Sequence, residues 1–219
     1  MSHLEPSGHT NASDLADTLH GERLPFVVIS GPSGVGKTTV IEKLLAQSPV
    51  PLIRSVSATT RPPRTGEIDG QVYYFLSRDE FERRREAEAF LEWAEVHRSG
   101  HLYGTPLSEL ERAASLGGWV LLEIDVEGAM NVLDLRPEAI SIFIHAQSPD
   151  AAGDPLAEYE RRLRSRGTED EATLARRLQT TRRELDFAPR YRHQVVNNND
   201  GVDRCVAEIC DILGKAAAT

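Results

Sequence analysis

With 219 residues, the chain is long enough for one globular domain with insertions, and a core of that size needs no disulfide or metal staple. Its 25 basic residues against 34 acidic ones leave a formal net charge of −9, which argues against a general nucleic-acid binder. The apolar runs are all far too short to span a bilayer, so no membrane segment is expected.

The opening MSHLEPSGHTNASDLADTLHGER has no continuous apolar stretch and is not a secretory signal. Residues 1–23 are expected to form a polar, flexible tail. PFVVIS (25–30) then reads as a buried strand, and GPSGVGKT follows it directly, with TTVIEKLLAQ as the first helix. LIRSVS (52–57) is a second strand. Residues 58–105 break the alternation with a Pro-rich loop, the short strand YYFL, and a helix opened by the capping box Ser77-Arg78-Asp79-Glu80. FLEWAEV alternates like a half-buried strand, which on that pattern alone turns Glu92 to solvent. Thr105 and Pro106 are expected to cap and start a helix running to Leu116, stopped by Gly117-Gly118. WVLLEID (119–125), ISIFIHA (140–146) and QVVNN (194–198) complete five apolar runs that look like parallel strands buried on both faces. Between the last two lies a charged, Arg-rich interval, about 148–190, with a second capping box at Thr168-Glu169-Asp170-Glu171. The fold class is therefore α/β, a doubly wound five-stranded parallel sheet. The two cysteines, Cys205 and Cys210, flank Ile209 on the apolar side of a helical pattern. They read as buried thiols in a reducing cytoplasm.

The chemistry starts at Gly31. A pattern of Gly31, Gly36, Lys37 and Thr38 arises by chance in about one chain per hundred of this length, and here a strand runs straight in and a helix starts at Lys37. Glycines let backbone N–H groups turn toward phosphate oxygens, and the helix N-terminus adds partial positive charge. Lys37 is expected to reach the β- and γ-phosphates and the Thr38 hydroxyl to help hold Mg²⁺. Glu123 and Asp125 end a strand at the carboxyl edge of the sheet, where ligands bind. Arg61 and Arg64, three apart on a loop stiffened by Pro62-Pro63 and followed by Tyr73, can both point at one dianion.

Taken in order and spacing, VVISGPSGVGKTT, SVSATTRPPRTGE with DGQVYYF, FLEWAEV, YGTP, LLEIDVEGA, RRLRSRGTE and VVNN resemble the guanylate kinase family of nucleoside-monophosphate kinases. The resemblance implies a P-loop NTPase core (24–57, 106–147 and 191–219), an inserted GMP-binding lobe (58–105) and a helical lid (148–190). It implies that residues 31–39 (Gly31, Pro32, Ser33, Gly34, Val35, Gly36, Lys37, Thr38, Thr39), with Arg162 and Asn197, bind ATP. Arg61, Arg64, Tyr73 and Tyr103 match positions that hold the GMP phosphate, while Ser57, Glu92, Thr105 and Asp125 match those that read guanine. Lys37, Arg61, Arg64 and the lid arginines Arg166 and Arg177 would carry phosphoryl transfer, with Mg²⁺ as cofactor and no nucleic-acid partner. The chain departs from the family at Glu123, where Asp is more usual, at Asn198, at Arg192-His193-Gln194, and in a longer approach to the lid. Two other functions remain open to the sequence: a kinase for another monophosphate, and a non-catalytic phosphopeptide-binding module, although such modules typically lose the phosphate loop. A GTPase would want an NKxD motif, which this chain lacks.

Overall fold

The computed structural model describes residues 24–95, 100–147, 153–165, 170–198 and 201–218. The expected tail 1–23, the lid arginine Arg166 and the Thr168-Glu169 start of the second capping box fall outside them. Along the described chain run β1 (Phe26–Ser30), α1 (Lys37–Gln47), β2 (Leu52–Arg54), β3 (Ala58–Thr59), β4 (Tyr74–Phe75), α2 (Arg78–Glu86), β5 (Phe90–Glu95), β6 (Leu102–Pro106), α3 (Leu107–Ser115), β7 (Trp119–Glu123), α4 (Val126–Leu135), β8 (Ile140–His145), α5 (Ala157–Ser165), α6 (Glu171–Leu185), a 3-10 turn at Ala188–Arg190, β9 (His193–Val196) and α7 (Val202–Ala217).

Five strands form one parallel sheet in the order β2-β7-β1-β8-β9. Every residue of β1 is buried, because each face of the sheet carries helices and successive side chains go to opposite faces. Phe26 and Val28 join one apolar cluster with Leu107, Leu110 and Ala113 of α3 and Val126, Ala129 and Val132 of α4. Val27 and Ile29 join the other, with Val40, Ile41 and Leu44 of α1 and Cys205, Val206, Ile209 and Leu213 of α7. That split is what doubly wound means in side-chain terms. Both cysteines are free thiols, Cys205 buried and Cys210 half-buried.

The interval 58–105 builds a second sheet, β4-β3-β6-β5, over a small core of Ala58, Phe81, Phe90 and Leu102. Phe81 and Phe90 stack with ring centroids 4.5 Å apart. The Ser77 half of the first capping box forms, its hydroxyl accepting the Glu80 N–H at 3.1 Å, while the Glu80 carboxylate pairs with Arg83 and Arg84.

Three local expectations are corrected. Thr105 does not cap α3; the N-cap is Pro106, and Thr105 is paired in β6 opposite Glu92, because strand pairing claims its backbone one residue further than the Thr-Pro signal suggests. In α6 the cap is Asp170, whose side chain accepts from the Thr173 N–H at 2.7 Å. The alternation in β5 fails as well: a register shift between Phe90 and Glu92 inverts the pattern, so that Glu92 is buried and Trp93 exposed. A bulge changes which face a side chain takes. The Arg85 guanidinium covers the Trp93 ring, 4.8 Å from its centroid.

The apolar core of the second sheet is separate from the two clusters of the parallel sheet, which predicts separable stabilities. Phe81→Ala should cost about 3–5 kcal/mol of local stability, with hydrogen exchange accelerating in β3, β5 and β6 before the parallel sheet. Acceleration spread evenly over both sheets would show one cooperative unit instead.

Candidate active site

Strand β1 delivers the chain into residues 31–36, and Gly36 turns it into α1. Gly36 is the N-cap with φ +91° and no side-chain cap, a conformation that suits glycine. A Cβ there would lie 2.6 Å from Asn197 Nδ2. The Lys37 ammonium folds back onto its own loop, donating to the Gly31 carbonyl at 2.5 Å and the Pro32 carbonyl at 3.3 Å. Burial lowers its pKa, and Glu184, Glu123 and Asp125 oppose that shift in turn.

The loop is gripped from outside at one carbonyl. Val35 O accepts from Asn197 Nδ2 at 2.8 Å and from Arg162 Nη1 at 3.0 Å. Arg162 also donates to the Asn197 carbonyl at 2.5 Å and to Glu158 at 2.7 Å. From α6, Arg177 Nη2 donates to the Ser33 hydroxyl at 2.7 Å.

Opposite the loop, Arg61 pairs with Glu67 at 2.9 Å and lies 5.5 Å from the Tyr73 ring centroid. Tyr73 in turn meets Tyr103 edge-on at 5.8 Å. Glu67 also accepts the Arg64 backbone N–H at 2.7 Å, which fixes the turn that carries both arginines. Deeper in, Glu92 is only 7% exposed and accepts from the Thr105 hydroxyl at 2.8 Å. Burial pushes its carboxyl up to about 7, with the Thr105 hydrogen bond opposing and the Asp125 charge adding. Asp125 caps α4, accepting the Gly128 N–H at 2.7 Å.

These groups line one cleft of about 830 Å³. Of the residues singled out from sequence, it brings together Gly31, Ser33, Gly34, Gly36, Lys37, Thr38, Thr39, Ser57, Arg61, Arg64, Tyr73, Glu92, Tyr103, Asp125 and Arg177. Pro32, Val35, Thr105, Arg162 and Asn197 stand behind this lining; Thr105 acts on it through Glu92, and the last two through Val35. The cleft also contains residues the sequence reading did not select: Arg54, Ser55, Glu67, Gly128, Thr173, Arg176, Thr180 and Glu184. Thr173, Arg177, Thr180 and Glu184 are spaced four, three and four along α6, one face of a helix. That polar stripe was available in the sequence, hidden among its many charges.

Thr38 offers a hydroxyl, and Glu123 and Asp125 offer carboxylates, in the same cleft, the oxygen donors that a hard cation takes. Among the described residues no group of three or more His, Cys, Asp or Glu side chains could hold a metal by itself. Mg²⁺, which is usually bound by one or two protein oxygens plus substrate phosphates, fits such a set. No described helix is long and apolar enough to cross a membrane.

Comparison with known proteins points to one family. Residues 23–216 match the family model described as guanylate kinase. A protein named guanylate kinase from Rhodopirellula baltica is 48% identical over 206 residues, covering 93% of this chain and 92% of its own. Another from Desulfitobacterium hafniense is 45% identical over 188 residues, covering 86% of this chain and 88% of its own. The crystal structure of guanylate kinase from Anaplasma phagocytophilum superposes with a TM-score of 0.64 at 30% identity, covering 88% of this chain and 85% of that one.

The Glu92 environment makes a stability prediction. A carboxyl raised from 4.5 to about 7 in the fold favours the protonated form, so its contribution is full below about pH 4.5 and lost as pH rises to about 7. Glu92→Gln is neutral throughout and lacks this loss. Between pH 4.5 and 8, urea unfolding should therefore shift in the variant's favour by on the order of 3 kcal/mol. Parallel pH curves would mean that Glu92 titrates normally.

Proposed function

The chain belongs to the guanylate kinase family, and on that premise we propose that it transfers the γ-phosphoryl group of ATP to the phosphate of GMP, giving ADP and GDP. The observation that carries this reading is a buried carboxylate, Glu92, in the same cleft as a phosphate loop and the Arg61–Tyr73–Tyr103 cluster. One end of the cleft suits a triphosphate, the other a base with its own phosphate.

In this reading the loop N–H groups and the α1 N-terminus bind the β- and γ-phosphates, and Lys37 leaves its loop carbonyls to join them. Arg61, Arg64, Tyr73 and Tyr103 hold the acceptor phosphate, with guanidinium forks matching its oxygens. Guanine presents N1–H and an exocyclic NH₂, two donors that suit ionised Glu92, while Ser57, Thr105 and Asp125 complete the base site. Adenine has no donor at N1, so a site built around this carboxylate leaves it unpaired and rejects AMP. An acceptor-phosphate oxygen forms the new bond to the γ-phosphorus as the bond to the β–γ bridging oxygen breaks, and that electron pair leaves with ADP. The attacking oxygen is already ionised near neutral pH, so no general base is needed; catalysis is positioning and charge neutralisation. Mg²⁺, held by phosphate oxygens and Thr38, would neutralise charge on the β- and γ-phosphates. Residues 58–105 are read as the acceptor lobe and 148–190 as the lid, whose Arg162, Arg166 and Arg177 are assigned to the donor phosphates, Arg166 lying outside the described residues. An intact phosphate loop favours this over a non-catalytic binding module.

An ADP-release assay with Mg·ATP and GMP, dGMP, AMP, CMP or UMP should give turnover with the guanine nucleotides far above the rest, and a metal chelator should abolish it. Turnover with another base would keep the kinase and discard the role of Glu92. ATP binding without transfer to any acceptor would overturn the reading. Glu92→Gln should raise KM for GMP about 10- to 100-fold and leave KM for ATP within about twofold. Equal rises in both would remove Glu92 from the base site.

A further inference from the structure

The chain leaves the parallel sheet for the second sheet between β2 and β3, and returns between β6 and α3. Glu109, in the first turn of α3, sits where these crossings meet and is 2% exposed. Its carboxylate accepts the Val56 backbone N–H at 2.8 Å and the Tyr74 hydroxyl at 2.9 Å. Arg112, one turn along α3, pairs with it at 2.7 Å and donates from the same nitrogen to the Arg54 carbonyl at 2.6 Å. Tyr74 is tied to the same crossing by its backbone, donating to the Ser57 carbonyl at 2.9 Å. One core helix thus holds Arg54, Val56 and, through Tyr74, Ser57.

Neither Glu109 nor Tyr74 lines the cleft, so neither is placed to touch substrate. Burial alone would raise the Glu109 pKa, but Arg112, the Val56 N–H and the Tyr74 hydroxyl together hold it below the usual value. It is an ionised carboxylate kept inside the protein. Apolar residues of similar volume often stabilise a fold as well as a buried ion pair does, so the directional bonds matter more here than the burial. Hydrogen bonds from a rigid helix to a two-way crossing fix the angle between the two sheets, and with it the spacing between Lys37 on one and the Arg61–Tyr73 cluster on the other.

We propose that Glu109 is a positioning residue for phosphoryl transfer, clamping the 54–57 crossing so that the acceptor site stands in fixed register with the phosphate loop. This rests on the reading of residues 58–105 as the acceptor lobe. Tyr74→Phe removes only the bond on the lobe side, and Glu109→Gln keeps the shape while removing the charge. The steady-state measurements use whichever nucleoside monophosphate the unmodified chain phosphorylates fastest, so failure of the guanine assignment shows separately, as a different preferred base.

Each variant should raise KM for that acceptor about five- to tenfold and leave KM for ATP within about twofold; Tyr74→Phe should melt close to the unmodified protein, while Glu109→Gln, which takes the charge from a buried pair, should melt lower. The double variant should be no worse than the poorer single, since both act through one contact. An acceptor KM unchanged in Tyr74→Phe, or both KM values rising together with a fall in Tm, would reduce Glu109 to a packing element and overturn the proposal.

Discussion

A phosphate-binding loop has to be rigid while leaving its backbone donors free, and those two demands conflict unless the loop is held by its other atoms. In this protein the holding contacts end largely on carbonyls. Lys37 bonds to Gly31 O and Pro32 O, while Arg162 and Asn197 converge on Val35 O. Gly36 caps α1 without a side-chain acceptor, so the first-turn N–H groups are not taken by a cap. Fixed dipoles in a water-poor site cost no reorganisation when charge develops. The clamps come from Asn197 just after β9, from α5 and from α6, distant in sequence from the loop and brought to it by the fold.

The second constraint is charge. Two phosphate-bearing substrates in one cleft tolerate few unpaired acids, yet the cleft contains several. Most have an assignment within the protein: Glu67 to Arg61, Glu123 to Arg54 at 2.7 Å, and Asp125 to the α4 N-terminus. Arg54 thus answers the departure at Glu123, giving the longer acid a partner from the neighbouring strand. Glu92 differs. Its described hydrogen bonds come from Thr105, hydroxyl and backbone, with no described cation beside it, and burial pushes its carboxyl up to about 7. Such a group gains its negative charge most readily when donors arrive, which is a form of selection by the ligand.

Much of the fold was readable from residue patterns because the signals were redundant. The central strands β1, β7 and β8 are buried on both faces, a pattern with few rival readings, whereas the edge strands β2 and β9 are only half-buried; GPSGVGKT then joins a buried strand to a helix. The Ser77 cap formed because its donor, the Glu80 N–H, lies three residues away in the same turn. What escaped the reading depends on pairing at long range. Thr105 carries every local mark of a cap and is instead claimed by β5. A register shift between Phe90 and Glu92, visible only in the pairing of β5 with β6, turns Glu92 inward against its own alternation. Glu109 looks like an ordinary first-turn acid; its partners Val56 and Tyr74 lie 53 and 35 residues away, beyond the reach of local rules.

Gly128 narrows how this site can change over time. A Cβ there would lie 2.9 Å from Glu92 Oε2 and 3.3 Å from Asp125 Oδ1, and both carboxylates are already anchored. Residue 128 is therefore not a free parameter through which the pocket could be reshaped in one step. A lineage drifting toward another base would have to shorten residue 92 before position 128 could accept a side chain. During that interval the old recognition would be lost and the new one absent, so the order of substitutions is itself under constraint. On the proposed role of Glu92, base choice would be held in place by the order of substitutions open to residues 92 and 128 as well as by the free energy of binding.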